Sequence, residues 1–161
     1  MTTTSALDRP RIRVRRADWL ELNMQLAVRG DGRRESGAFL LGRRRGRRPL
    51  VTRAVYFDDL EPDSLTGAVH LTTTAYSRLW NICRDLGVEV LADVHTHPGK
   101  CVLQSHVDEE NPLIAQRGHL AIIIGQYAQQ HADLRDVGIY EYRGDDGWKT
   151  RNRSLSHRRW C

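Results

Sequence analysis

The residues best suited to chemistry lie in one short stretch, "HTHPGKCVLQSHVD", His95 to Asp108. His95 and His97 are two apart, so on an extended segment both imidazoles leave the same face of the chain. One metal ion needs that of two nitrogen ligands, each approaching zinc at about 2.0–2.1 Å. Pro98 ends the extended run and stiffens the exit from it. Asp108 can add an oxygen ligand from the first turn of a following helix. Two histidines and one carboxylate leave the fourth tetrahedral position open, which separates a catalytic zinc from a structural one. Water at such a position can have its pKa lowered to about 7, giving hydroxide at neutral pH. A plainer reading of Ser105 and Asp108 is an S-x-x-D cap that stabilises a helix start without chemistry. The whole pattern H-x-H-P-x6-S-x2-D arises by accident on the order of once in ten thousand chains of this length.

These residues resemble the signature of the JAMM (MPN-plus) metalloproteases, zinc isopeptidases that remove ubiquitin and ubiquitin-like proteins. That family also places a Glu far upstream, before a small-residue, apolar strand. "ESGAFLLG" fits, which nominates Glu35. The resemblance extends over about residues 18–150 through "GHLAIIIG" and "VGIYEY". It implies one catalytic Zn2+ per chain on His95, His97 and Asp108. Glu35 would be the general base, and Ser105 would donate a hydrogen bond to the oxyanion. No departure from the five residues is visible. The other histidines get plainer readings: His106 a bystander, and His70, His119, His131 and His157 at the surface or core edge. Cys101 is a stray thiolate or a small buried hydrophobe.

By the same resemblance the substrate is a ubiquitin-like protein or its conjugates, its C-terminal tail lying in a groove as an added strand. Sixty residues from Glu35 to His95 suffice for the common core, without large ubiquitin-gripping insertions. With the Arg-rich composition, the chain looks like a bacterial member. Such proteins work beside E1-like and E2-like enzymes, including antiphage conjugation systems. A second pathway keeps the chemistry and trims a small sulfur-carrier protein. A reading of another class makes the chain an Arg-rich nucleic-acid- or protein-binding module with structural zinc.

The elements that must carry this site can be read from periodicity. Asp18 to Gly30 reads as a helix, capped by Asp18, with Leu20, Met24 and Ala27 on one face and Gly30 at C′. "SGAFLLG" and "LVTRAVYF" read as strands joined by the arginine turn "RRRGRRP". "TTAYSRLWNICRDLG" reads as a helix capped by Thr and ended by Gly87. "VEVLADV" is a buried strand that delivers the two histidines. A short helix from Ser105, two strands ("HLAIIIGQY", "DVGIYEYRG") and a short last strand ("GWKTRN") complete the chain. The expected fold class is α/β (α+β), a mixed, mostly β-sheet flanked by helices in three layers. The resemblance implies the JAMM/MPN fold, similar to the cytidine-deaminase-like three-layer architecture.

Bulk composition is consistent with one domain over residues 1–161, with a core of about 18–150 and Arg-rich tails. The net charge is +5, and arginines cluster at 11–16, 43–48 and 151–159. No aromatic residues interleave these clusters, so they read as solvated surface rather than a nucleic-acid partner site. There is no apolar run of membrane length and no secretory signal, so the expected location is cytoplasmic, without a membrane partner. Three widely spaced cysteines without CxxC suggest reduced thiols. H-E-x-x-H and the deaminase H-x-E…P-C-x-x-C are absent, which removes those zinc chemistries.

Overall fold

The computed structural model describes residues 12–65 and 69–151. A helix, α1 (Arg16–Gly30), precedes the antiparallel pair β1 (Gly37–Gly42) and β2 (Val51–Tyr56). The one-turn α2 (Phe57–Leu60) and the long α3 (Thr73–Leu86) follow, then the strand β3 (Glu89–Thr96). After α4 (His106–Glu110) come β4 (Leu120–Ile124), β5 (Gly138–Tyr142) and β6 (Trp148–Thr150). The strands form one mixed sheet in the order β2-β1-β3-β4-β5-β6. Among these six strands only β3 and β4 pair in parallel. A parallel pair needs a long crossover, and the segment between those two strands supplies it, carrying α4 and the loop after His97.

Side-chain alternation along the strands divides the core into layers. On one face Ala38, Leu40, Ala92, Val94, Ile122 and Ile139 pack with Trp19, Leu22 and Leu26 of α1. On the other face Phe39, Leu41 and Val90 pack with Ala75, Leu79 and Cys83 of α3. Phe39 is completely buried there, its ring 5.0 Å from that of Phe57 and 6.1 Å from that of Tyr76. The result is an α/β class fold, a mixed sheet flanked by helices, as the alternation of elements predicts.

Several details depart from the sequence reading. The buried face of α1 is Trp19, Leu22, Asn23, Leu26 and Gly30, whereas Leu20 and Met24 are 44% and 53% exposed. Trp19 decides the rotation: it buries the largest ring of the helix and donates from Nε1 to the Ala132 carbonyl at 2.8 Å. Asp18 lies inside the first turn and pairs with Arg15 at 3.6 Å, so it is not the cap. The helix ends in a left-handed Asp31 (φ 52°), one residue beyond the expected glycine. Thr72 and Gly87 do cap α3 at its two ends. Cys83 is free and buried, but Cys101 is disulfide-bonded, so the expectation of reduced thiols fails for Cys101. No helix among the described residues is long and apolar enough to cross a membrane. Of the arginine cluster 151–159, only Arg151 is described, buried against Glu141. His157 lies outside the described residues.

Candidate metal centre

Register places the site. β3 is central, with β1 antiparallel on one side and β4 parallel on the other, and Gly37 stands opposite His95. Two residues before Gly37 is Glu35. The link between them, Ser36, accepts from the Thr96 amide at 2.9 Å and donates its own amide to Thr96 Oγ1 at 3.0 Å. Sheet pairing therefore brings Glu35, sixty positions upstream, beside the two histidines. Gly37 must be glycine, because a Cβ there would stand 2.2 Å from the Phe57 ring and 2.5 Å from the Val94 carbonyl oxygen.

His95 and His97 point the same way, and Asp108 meets them from α4. The Nε2 atoms of the two histidines are 3.1 Å apart. Asp108 Oδ1 is 3.3 Å from His95 Nε2 and Oδ2 is 3.2 Å from His97 Nε2. A tetrahedral ion with bonds of about 2.0–2.1 Å has ligand–ligand edges of about 3.3–3.4 Å. The three side chains therefore stand close to the spacing that such an ion needs, and they form a group able to hold a metal.

Ser105 fixes Asp108. Its amide and its hydroxyl both donate to Asp108 Oδ2 at 2.7 Å, and its Oγ accepts from the Asp108 amide at 3.2 Å. This is a reciprocal capping box at the start of α4. The plainer reading of S-x-x-D thus holds as geometry, and the cap also orients the proposed ligand.

Behind His95 lies a pair that the sequence reading missed. Asp93 is buried within β3, two residues before His95 and on the same face, and His119, also buried, immediately precedes the neighbouring strand β4. His119 Nε2 donates to Asp93 Oδ1 at 2.6 Å, and Asp93 Oδ2 faces His95 Nδ1 at 3.8 Å. The expectation of a surface or core-edge His119 is corrected: it is 1% exposed. The available signal was a lone carboxylate inside an otherwise apolar strand, since a buried charge requires a partner.

The electrostatics follow from this crowding. Burial works against charge on His95, but the Asp108 and Asp93 carboxylates outweigh it and raise its pKa to about 10. Burial pushes Asp108 and Asp93 up, and hydrogen bonds from the surrounding histidines more than compensate, leaving both below the usual carboxylate range. Glu35 moves the other way. Its burial raises the carboxyl pKa, which the two histidines only partly offset. Glu35, His95, Ser105 and Asp108 line one cavity of about 210 Å3, walled on its apolar side by Val107, Leu113 and Trp148. His106 points away, 81% exposed and 3.2 Å from Glu110.

The loop after His97 is clamped at several points. Tyr140 Oη donates to the Val102 carbonyl at 2.8 Å. The turn Gln126–Ala128 after β4 holds three consecutive residues at positive φ (57°, 52° and 57°). Such left-handed geometry costs roughly 1–2 kcal/mol per non-glycine residue. Its amides are spent on the site: Gln126 donates to the Gly99 carbonyl and Tyr127 to the His97 carbonyl, both at 2.8 Å.

No protein-family model matches this chain. Its fold is similar to that of a Desulfitobacterium hafniense protein known from its solution structure, at 19% identity and a TM-score of 0.61. That match covers 88% of this chain and 90% of the other. A Salinibacter ruber protein is similar at 15% identity and a TM-score of 0.59, over 86% and 87% of the two chains. At these identities the likeness shows the fold alone.

Proposed function

We propose that this chain is a zinc-dependent peptidase that cuts at the C-terminal tail of a ubiquitin-like protein, freeing it from conjugates or trimming its precursor. One observation carries the reading: His95, His97 and Asp108 converge at 3.1–3.3 Å, with Glu35 on the wall of the cavity that His95 and Asp108 line. Zinc held there supplies Lewis acidity toward a scissile carbonyl and lowers the pKa of coordinated water. Glu35 takes a proton from the attacking water and returns it to the leaving amine. Its raised pKa suits that exchange, since a general base works best when poised near the operating pH. Ser105 now donates to Asp108, so acting on an oxyanion requires its hydroxyl to turn. The small cavity with an apolar wall favours a thin, extended tail over a bulky side chain.

The test gives zinc-loaded protein candidate ubiquitin-like fusions and, separately, sulfur-carrier fusions, beside a Glu35→Gln control. Cleavage of the first set by the native chain alone supports the proposal. Cleavage of only the second moves the pathway while keeping the chemistry. Equal behaviour of the native chain and the variant on every fusion sinks the assignment.

A further inference from the structure

A second concave site lies at the opposite end of the sheet. β1 leaves the metal centre at Gly37, opposite His95, and reaches Gly42, opposite Glu89. That is about 17 Å of strand. The turn beyond it, residues 43–48, is "RRRGRR", and all six residues are exposed. It borders an open cleft of about 570 Å3 lined by Arg13, Arg43, Arg45 and Arg53, with Leu86 and Val88.

Three observations set these arginines apart from ordinary surface charge. Among the described residues no Asp or Glu lines the cleft. The carboxylates near its rim are already engaged, Glu89 with Arg44 at 3.5 Å and Asp85 with Arg84 at 3.6 Å. Among the described residues Arg43, Arg45 and Arg53 form no ion pair, and Arg13 donates only to the Arg48 carbonyl, at 3.1 Å. The backbone of Arg13 is fixed as well: its amide donates to the Pro49 carbonyl and its carbonyl accepts from the Val51 amide, both at 2.8 Å. Four arginines thus line one hollow in which, among the described residues, no carboxylate pairs with them. A cleft lined by a single sign of charge concentrates counter-ions.

We propose that this cleft binds a compact polyphosphate, separately from the metal centre. Guanidinium forks match phosphate oxygens two at a time. Charge density selects phosphate over an acidic peptide. Carboxylates on one side of an extended peptide stand about 6.6–7 Å apart, whereas adjacent phosphoryl groups share a bridging oxygen. Size selects a compact ligand over a duplex: the arginines line a hollow whose volume falls within the roughly 300–1,000 Å3 of small-molecule sites. Among the described residues no aromatic ring lines it, so none offers a base a stacking platform, and recognition rests on the phosphates.

The experiment titrates the zinc-loaded full chain with inorganic triphosphate by calorimetry at two salt concentrations. Binding should weaken as salt rises. It should fall by at least about tenfold in Arg43→Ala/Arg53→Ala, as expected for lost charged hydrogen bonds. Arg33→Ala, remote and 84% exposed, should bind like the native chain. The charge-conserving Arg43→Lys/Arg53→Lys should lie between, and retained zinc content shows that the variants are folded. Absence of binding, or binding unchanged in the double alanine variant, overturns the proposal. So does equal competition by polyglutamate, which would make the cleft an acidic-protein contact. Tighter binding of duplex DNA, undisplaced by triphosphate, would make it a nucleic-acid track and overturns the compact-ligand assignment.

Discussion

Asp93 and His119 are joined by a 2.6 Å hydrogen bond inside the sheet, and the second oxygen of Asp93 is turned toward His95. A carboxylate behind a ligating imidazole fixes the ring's orientation and raises its basicity, and losing it typically costs about 10–100-fold in metal affinity. Asp93→Asn should therefore weaken zinc binding by that order, read by chelator competition. His119→Ala removes the closer partner of the buried carboxylate and should cost up to about 3–5 kcal/mol in urea unfolding. Native zinc affinity in Asp93→Asn would reduce the pair to a structural one.

His95→Ala and Glu35→Gln should separate holding from reacting. The first removes one of three proposed ligands and should empty the site, read as zinc per chain by atomic spectroscopy. The second should keep its zinc while cleavage falls about 10²–10⁴-fold, the usual contribution of a general base. A Glu35→Gln protein without zinc would make Glu35 a ligand instead.

The left-handed turn at Gln126–Ala128 offers a gain of stability. Gln126 has φ 57° and a half-buried side chain, so Gln126→Gly removes the backbone penalty with little loss of packing. Unfolding should show a stabilisation of about 1 kcal/mol. A destabilised variant would mean that the side chain, and not the backbone, holds the turn.

Tyr140 sets an alkaline limit. It is 5% exposed, and burial raises its phenol from the ordinary 10.0 to about 12. The folded state holds this proton more tightly than the unfolded chain. Its contribution is complete below pH 10 and is lost as pH rises toward 12, by up to about 2–3 kcal/mol. Tyr140→Phe forfeits the bond to Val102 and should be about 1 kcal/mol less stable at pH 8. That deficit should vanish and reverse by pH 12, as followed by denaturant unfolding. A constant deficit across the range would show that Tyr140 does not control the alkaline loss.

The strands were legible in the sequence because their apolar runs end at glycines, arginines or prolines, as "GAFLLG" does. The convergence of His95, His97 and Asp108 was legible because the two histidines follow the strand period and Ser105 and Asp108 follow a helix-start spacing. What escaped depended on contacts between distant segments. The face of α1 turns on Trp19 reaching Ala132, more than a hundred residues away, and local spacing offered Leu20 and Met24 equally well. His119 looked isolated because its partner, Asp93, is 26 positions away and meets it only through the parallel pairing of β3 with β4. The oxidation state of Cys101 was likewise invisible to spacing.

The central position of β3 would make the proposed metal site a witness to correct folding. A slip of one residue between β1 and β3 would turn both imidazoles to the α1 face and carry Glu35 away from them. An unfolded or misregistered chain would offer the three side chains no common point. Zinc added during refolding would therefore bind the native pairing more tightly than any other and draw the population toward it by mass action. In this chain the ion would act as a proofreader of strand register before it took part in any reaction.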